Sequence, residues 1–162
     1  MKYANIYYND TAAAPGIAVS VYLQGCPHHC DGCFNPETWS FKGGQEFSYD
    51  TLKSIINGLT ANGIERYLCI LGGEPLCPEN QFLTDLIITE VKKELPQTKI
   101  YIWTGYVYED LIKYQSSELL KSILSNTYCI IDGPFIKEER DITLQMRGSK
   151  NQRIIYLVDN NK

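Results

Sequence analysis

The sequence predicts an α/β protein: a partial (β/α) barrel of parallel strands, about five or six of them, open on one side. Three observations lead there. Short β-branched and apolar runs alternate with longer segments of helical period, the pattern of βαβ units whose strands are buried on both faces. The loops that follow the strands are rich in Gly, Pro and polar residues. The chain has 162 residues, against about 250 for a complete (β/α)8 barrel. That length suits one domain with a substantial core, taken to span 1–162.

The elements follow in order. KYANIYY (2–8) is a candidate first strand, and IAVSVYL (17–23) a firm one. SYDTLKSIINGLTANG (48–63) predicts a helix, with Ser48 as its N-cap, Leu52, Ile55, Ile56 and Leu59 on one face, and Gly63 at its end. RYLCIL (66–71) is a strand. ENQFLTDLIITEVKKEL (79–95) predicts a helix with a stripe of Phe82, Leu83, Leu86, Ile87 and Val91, stopped by Pro96. KIYIW (99–103) is a strand, SSELLKSILSN (116–126) a helix, YCIID (128–132) a strand and RIIYLV (153–158) the last strand. The sequence contains no internal repeat, linker or low-complexity run.

Composition narrows the function. Hydrophobic residues make up 44% and charged residues 21%, ordinary for a globular protein. The net charge of −4 argues against a nucleic acid held by phosphate contacts. No apolar run approaches a membrane span, and the N-terminal stretch lacks the basic start and apolar core of a signal peptide. The expected location is the cytoplasm, with no membrane partner. That compartment is reducing, so the six cysteines read as thiols or metal ligands and not as disulfides. Cys69 and Cys129 fall inside strands, where a thiol is a small hydrophobe. Cys77, in EPLCPEN, sits close to a strand end, and no second metal centre is expected from it.

The segment GCPHHCDGC (25–33) places Cys26, Cys30 and Cys33 in one loop. A structural zinc site wants four ligands, and an iron–sulfur cluster usually wants four thiolates. Three thiolates on a four-iron cluster leave one iron open to bind a substrate, as the open position of a catalytic zinc does. The spacing C-x3-C-x2-C therefore points to a working [4Fe–4S] cluster. Spacing alone also admits a zinc site completed by His28 or His29, in a zinc-binding interaction module. GGEP (72–75), TGY (104–106) and DGPF (132–135) likewise follow strands. In a parallel sheet these ends share one rim, where α/β proteins build their sites. Each of these segments taken alone also reads as a simple turn.

The C-x3-C-x2-C spacing resembles that of the radical S-adenosylmethionine enzymes. Taken in order from Gly25 to Arg153, GCPHHCDGCFNPETW, GGEPLCPEN, WTGY, IDGPF and RGSKNQR resemble the activating enzymes of the anaerobic (class III) ribonucleotide reductases. The resemblance implies that S-adenosylmethionine chelates the open iron and is cleaved reductively to methionine and a 5′-deoxyadenosyl radical. That radical takes a hydrogen atom from a glycine of the reductase catalytic subunit. A flavodoxin or ferredoxin-type reductant is implied as the electron source. Gly72, Gly73 and Glu74 match the segment that holds the methionine amino group, the glycines letting backbone approach the ligand. Many enzymes of the superfamily carry an aromatic residue just before the third cysteine. Here that position is Gly32, and an aromatic residue, Phe34, follows the cysteine instead. Either the Phe34 ring or the backbone at Gly32 meets the adenine; core packing is the other reading of Phe34. His28 reads either as a hydrogen-bond donor to a cluster sulfur or as an exposed loop residue. Arg147 and Arg153 read either as partners for a carboxylate of the cofactor or of the protein partner, or as parts of a polar turn. Activases of other glycyl-radical enzymes, the pyruvate formate-lyase type among them, share the core motifs but tend to be longer.

Overall fold

The computed structural model describes residues 1–114 and 117–157. Seven strands form one mixed sheet in the order β3-β1-β2-β4-β5-β6-β7. They are β1 (Lys2–Asp10), β2 (Ala18–Leu23), β3 (Gln45–Glu46), β4 (Tyr67–Gly72), β5 (Ile100–Trp103), β6 (Cys129–Asp132) and β7 (Arg153–Tyr156). The four central strands, β2, β4, β5 and β6, are parallel. The edges are not: β1 pairs antiparallel with both β2 and β3, and β7 pairs antiparallel with β6. This corrects the all-parallel expectation. No α-helix separates β1 from β2 or β6 from β7, so no helical crossover carries the chain back over the sheet, and each of these pairs runs antiparallel. The expected last strand extends to Val158, which lies outside the described residues.

Helices α1 (Tyr49–Leu59), α2 (Pro78–Glu94), α3 (Tyr108–Tyr114) and α4 (Glu118–Asn126) join the central strands. Ser48 caps α1 by accepting from the Thr51 amide, with the Thr51 side chain returning a bond to the Ser48 amide. The expected helix to Gly63 stops at Leu59, because Asn62 and Gly63 take left-handed backbone angles in a short 3-10 turn, Ala61–Gly63. Pro78 opens α2 at a position where its missing N–H costs nothing. Phe82, expected on the buried stripe, is 56% exposed; Leu83, Ile87, Ile88 and Val91 carry the packing. Sequence periodicity did not single out α3, a seven-residue helix that buries only Leu111. The expected α4 began at Ser116, outside the described residues; Ser117 caps the observed helix by accepting from the Leu120 amide. No helix among the described residues is long and apolar enough to cross a membrane.

The alternation of strand side chains sorts the core into two layers. Val19, Val21, Leu23, Leu68, Ile70, Ile100, Ile102 and Ile130 face the helices and pack on Leu52, Ile55, Leu83, Ile87, Val91, Leu111 and Ile123. Ala18, Cys69, Tyr101, Cys129 and Ile131 face the other way, where they meet Ala13, Ala14, Met146 and Ile154 from loops and the edge strand. The helices therefore lie on one face of the sheet. The opposite face is left to loops, and the site opens there.

Candidate functional site

The C-terminal ends of β2, β4, β5 and β6 meet at one rim, as expected. A cavity of about 640 Å³ opens there, within the range of small-molecule sites, about 300–1,000 Å³. Its wall takes Cys26, Cys30, Cys33 and Phe34 from the first loop, and Gly72, Gly73 and Glu74 from the second. Trp103, Thr104 and Gly105 come from the third, and Gly133 and Phe135 from the fourth. The far wall is Leu144, Met146, Arg147 and Gly148. Thus three thiols, a glycine turn and a guanidinium, far apart in sequence, face one space.

The cysteine loop is tied at its start. Gly25 donates to the Thr38 carbonyl (2.7 Å) and Cys26 to that of Trp39 (3.1 Å). The Gln24 amide reaches the carbonyls of Glu37 (3.0 Å) and Ser40 (2.7 Å). The glycine turn docks directly on this start, with Gly73 donating to Leu23 O (2.9 Å) and Glu74 to Gly25 O (2.8 Å). A Cβ at Gly73 would lie 2.3 Å from the Gly25 carbonyl oxygen. Glycine is needed here so that two backbone segments can touch, and not only so that a ligand can approach.

All three loop thiols are half-buried, whereas Cys69, Cys77 and Cys129 are buried. Burial pushes the Cys26 thiol up to about 11, partly offset by backbone hydrogen bonds from His28 and His29. Burial likewise raises Cys77 to about 12 and Cys129 to about 11, and raises Cys69 further. The Cys77 thiol donates to Glu74 O at 3.1 Å, at the start of α2. Among the described residues no three His, Cys, Asp or Glu side chains form a group able to hold a single metal ion.

The remaining expected residues fall into two sets. Phe34 lines the cavity, 53% exposed, against Phe135 (5.1 Å between ring centroids) and beneath Arg140 (5.0 Å). Gly32 does not line it: a Cβ there would face the Lys137 and Phe135 side chains at 3.3 and 3.5 Å. Glu74 lines it but is 1% exposed and accepts four hydrogen bonds from the protein. Arg153 is taken by Asp132 and Glu109 of its own chain, which together raise its pKa. Arg147 is not so occupied. It is half-buried, its Nη1 donates to Gln152 O (3.2 Å), its Nε is buried without a partner, and it forms no ion pair among the described residues. The polar residues of RGSKNQR mostly hold that loop to DGPF: Gln152 accepts from Gly148 and Ser149 and donates to Gly133 O, and Asn151 donates to Pro134 O. Tyr22 and Met146 line the cavity without having been singled out, and Trp103 lines it as the first residue of WTGY. Strand alternation could have placed Tyr22 and Trp103 on the helix-free face; nothing local marks Met146.

This geometry describes an α/β domain with one thiol-lined centre at its strand-end rim. A model of the family described as "4Fe-4S single cluster domain" matches residues 12–155, which contain the three loop cysteines and the glycine turn. Over 155 residues the chain is 37% identical to an anaerobic ribonucleoside-triphosphate reductase-activating protein of Haemophilus influenzae, covering 95% of this chain and 97% of the relative. Identity to the protein of that name from Enterobacteria phage T4 is 36%, covering 95% and 93%, and to that from Escherichia coli K12 it is 32%, covering 97% and 99%. The chain belongs to the family of anaerobic ribonucleoside-triphosphate reductase-activating proteins.

Proposed function

We propose that this chain activates an anaerobic ribonucleotide reductase by generating a glycyl radical on its catalytic subunit, using one [4Fe–4S] cluster and S-adenosylmethionine. The observation that carries the reading is that three thiols of one loop face a cavity large enough for a cluster and a nucleoside-sized ligand, in a chain of this family. Cys26, Cys30 and Cys33 hold the cluster. When bound, it supplies the electron that cleaves the sulfonium and an open iron that anchors the methionine end. The protein's own part is placement and exclusion of water. Gly72 and Gly73 border the amino-acid end. Phe34, Trp103 and Met146 offer apolar surface for the adenine, and Arg147 offers a cation for the carboxylate. The reading takes 1–162 as a single domain whose sheet curves as a partial barrel. Helices on one face only are what such a barrel requires, and an open side would let the glycine-bearing segment of the reductase reach the cavity.

The reductase is preferred as target over other glycyl-radical enzymes because the relatives named for it align over nearly their full lengths. A flavodoxin or ferredoxin-type protein is the proposed electron source. The cytoplasm, which keeps thiols reduced, is the proposed location. The test is anaerobic incubation of the reconstituted protein with a reductant, S-adenosylmethionine and the reductase, followed by electron paramagnetic resonance. A glycyl radical that appears with the wild-type reductase, and is absent when its radical glycine is replaced by alanine, supports the reading. Full radical yield from the alanine variant excludes the proposed target.

A further inference from the structure

A carboxylate has two oxygens and about four lone-pair positions, and this chain fills all four of Glu74. Oε1 accepts from the Leu76 amide (2.9 Å) and the Thr104 hydroxyl (2.8 Å). Oε2 accepts from the Gly105 amide (2.7 Å) and from His28 Nε2 (2.8 Å). His28 is the donor in that bond in the tautomer that carries its proton on Nε2. A ligand ammonium group could join this carboxylate only by displacing one of these donors, at the cost of a buried charge-assisted hydrogen bond.

The donors come from three different loops. Leu76 belongs to the glycine turn of Glu74 itself, Thr104 and Gly105 to the turn after β5, and His28 to the cysteine loop. His28 stands between Cys26 and Cys30 in sequence. Its ring is held edge-on against Tyr106 at 4.5 Å, and a Cβ at Gly105 would come within 2.5 Å of it. Other ties to the middle of the cysteine loop are weak. The Lys137–Asp31 ion pair is exposed on both sides and belongs to a class worth ~0–1 kcal/mol. His29 is exposed and its ring packs on that of Trp39, at 4.8 Å between centroids.

We propose, resting on the reading that this loop holds a cluster, that His28 and Glu74 form a positioning pair that sets the cysteine loop for cluster binding. In this role Glu74 makes no contact with the methionine amino group. His28→Phe keeps a ring and loses the donor; His28→Gln returns a donor. Each variant, Glu74→Gln and the wild type are reconstituted anaerobically. Three quantities are then measured: the rate of iron loss to a chelator, the paramagnetic resonance line shape of the reduced cluster, and S-adenosylmethionine affinity per intact cluster.

His28→Phe and Glu74→Gln are expected to lose iron about tenfold faster than wild type, the scale of outer-shell effects on metal sites. His28→Gln is expected to return most of that loss and to restore the wild-type line shape. Affinity per intact cluster stays within about twofold of wild type in all three variants, since none removes a cofactor contact. If His28→Phe does not accumulate as folded protein, His28→Ala against His28→Gln gives the same comparison. The proposal is overturned if His28→Gln is as labile as His28→Phe. It is also overturned if Glu74→Gln weakens S-adenosylmethionine binding about tenfold or more while iron loss stays at the wild-type rate, because that places Glu74 on the cofactor. Failure of the underlying reading looks different: wild-type protein itself would then take up no iron and sulfide, and the pair would have no cluster loop to position.

Discussion

The two ends of the sheet carry cavities of nearly equal size, about 640 Å³ at the C-terminal rim and about 620 Å³ at the N-terminal rim. Their chemistry differs. At the N-terminal rim, Leu59, Arg66, Tyr67, Leu95, Pro96 and Lys99 enclose the space, and the buried cation there is committed to structure. Arg66 donates to the carbonyls of Ala61 and Ile64 and to Asn9. The nearby Lys92 caps the end of α2 through Pro96 O and Thr98 O. At the C-terminal rim three thiols face the space, Cys26 and Cys33 with contacts from backbone, and Arg147, bound to one carbonyl, forms no ion pair among the described residues, while the buried carboxylate behind them is fully used. Volume alone would rank the two cavities together; the three thiols separate them.

The largest expected effect sets the thiols of the cavity against those of the core. Cys26→Ala, Cys30→Ala and Cys33→Ala should each abolish the cluster, measured as iron and acid-labile sulfide per chain. Cys69→Ala and Cys129→Ala, buried in the sheet, should retain it. Retention by any of the first three would remove that residue from the ligand set.

Glycines give the next contrast. Gly73→Ala drives a methyl group to 2.3 Å from a backbone oxygen, where only backbone movement relieves it, and should cost about 3 kcal/mol or more in chemical denaturation. Gly63→Ala meets nothing within 4 Å but must hold a φ of +71°, and should cost about 1 kcal/mol. Equal losses would mean that the docking of the glycine turn on the cysteine loop is not tight.

Arg66→Ala tests the other rim. It removes the buried guanidinium that ties Ala61, Ile64 and Asn9 together and should lower stability by about 1–3 kcal/mol, with iron content and S-adenosylmethionine affinity of the folded protein unchanged. A change in affinity would give the N-terminal rim a part in function. The smallest effect belongs to Asp31→Ala, which removes an ion pair exposed on both sides. It should alter unfolding free energy by no more than about 0.5 kcal/mol and leave cluster content at the wild-type level.

Much of this molecule is legible from local pattern. The cysteine spacing, the buried strands β2, β4, β5 and β6, the Ser48 cap and the gathering of four loops on one rim all follow from residue order. Each depends on neighbours a few positions apart, or on the rule that parallel strands present their C-terminal ends together. The antiparallel edges were less legible, because pairing direction at a sheet edge depends on which strand is free to accept a partner. Exposure of Phe82 was illegible too, since helical period gives a stripe but not how far the neighbouring layer extends over it.

What the sequence determined by itself is the chemistry of the site: three thiols too few for a closed metal centre, set where an α/β protein can use them. What only the tertiary structure decided is which residues hold that chemistry in place. Gly73 must be glycine because of Gly25, on the start of another loop. Glu74 is spent on His28, Thr104 and Gly105, the first of them 46 residues away. Arg153 is neutralised by Asp132 across a strand pair, while Arg147, six positions earlier, is not. A side chain's donors and acceptors are allotted by proximity in space, and residue types alone do not state that allotment.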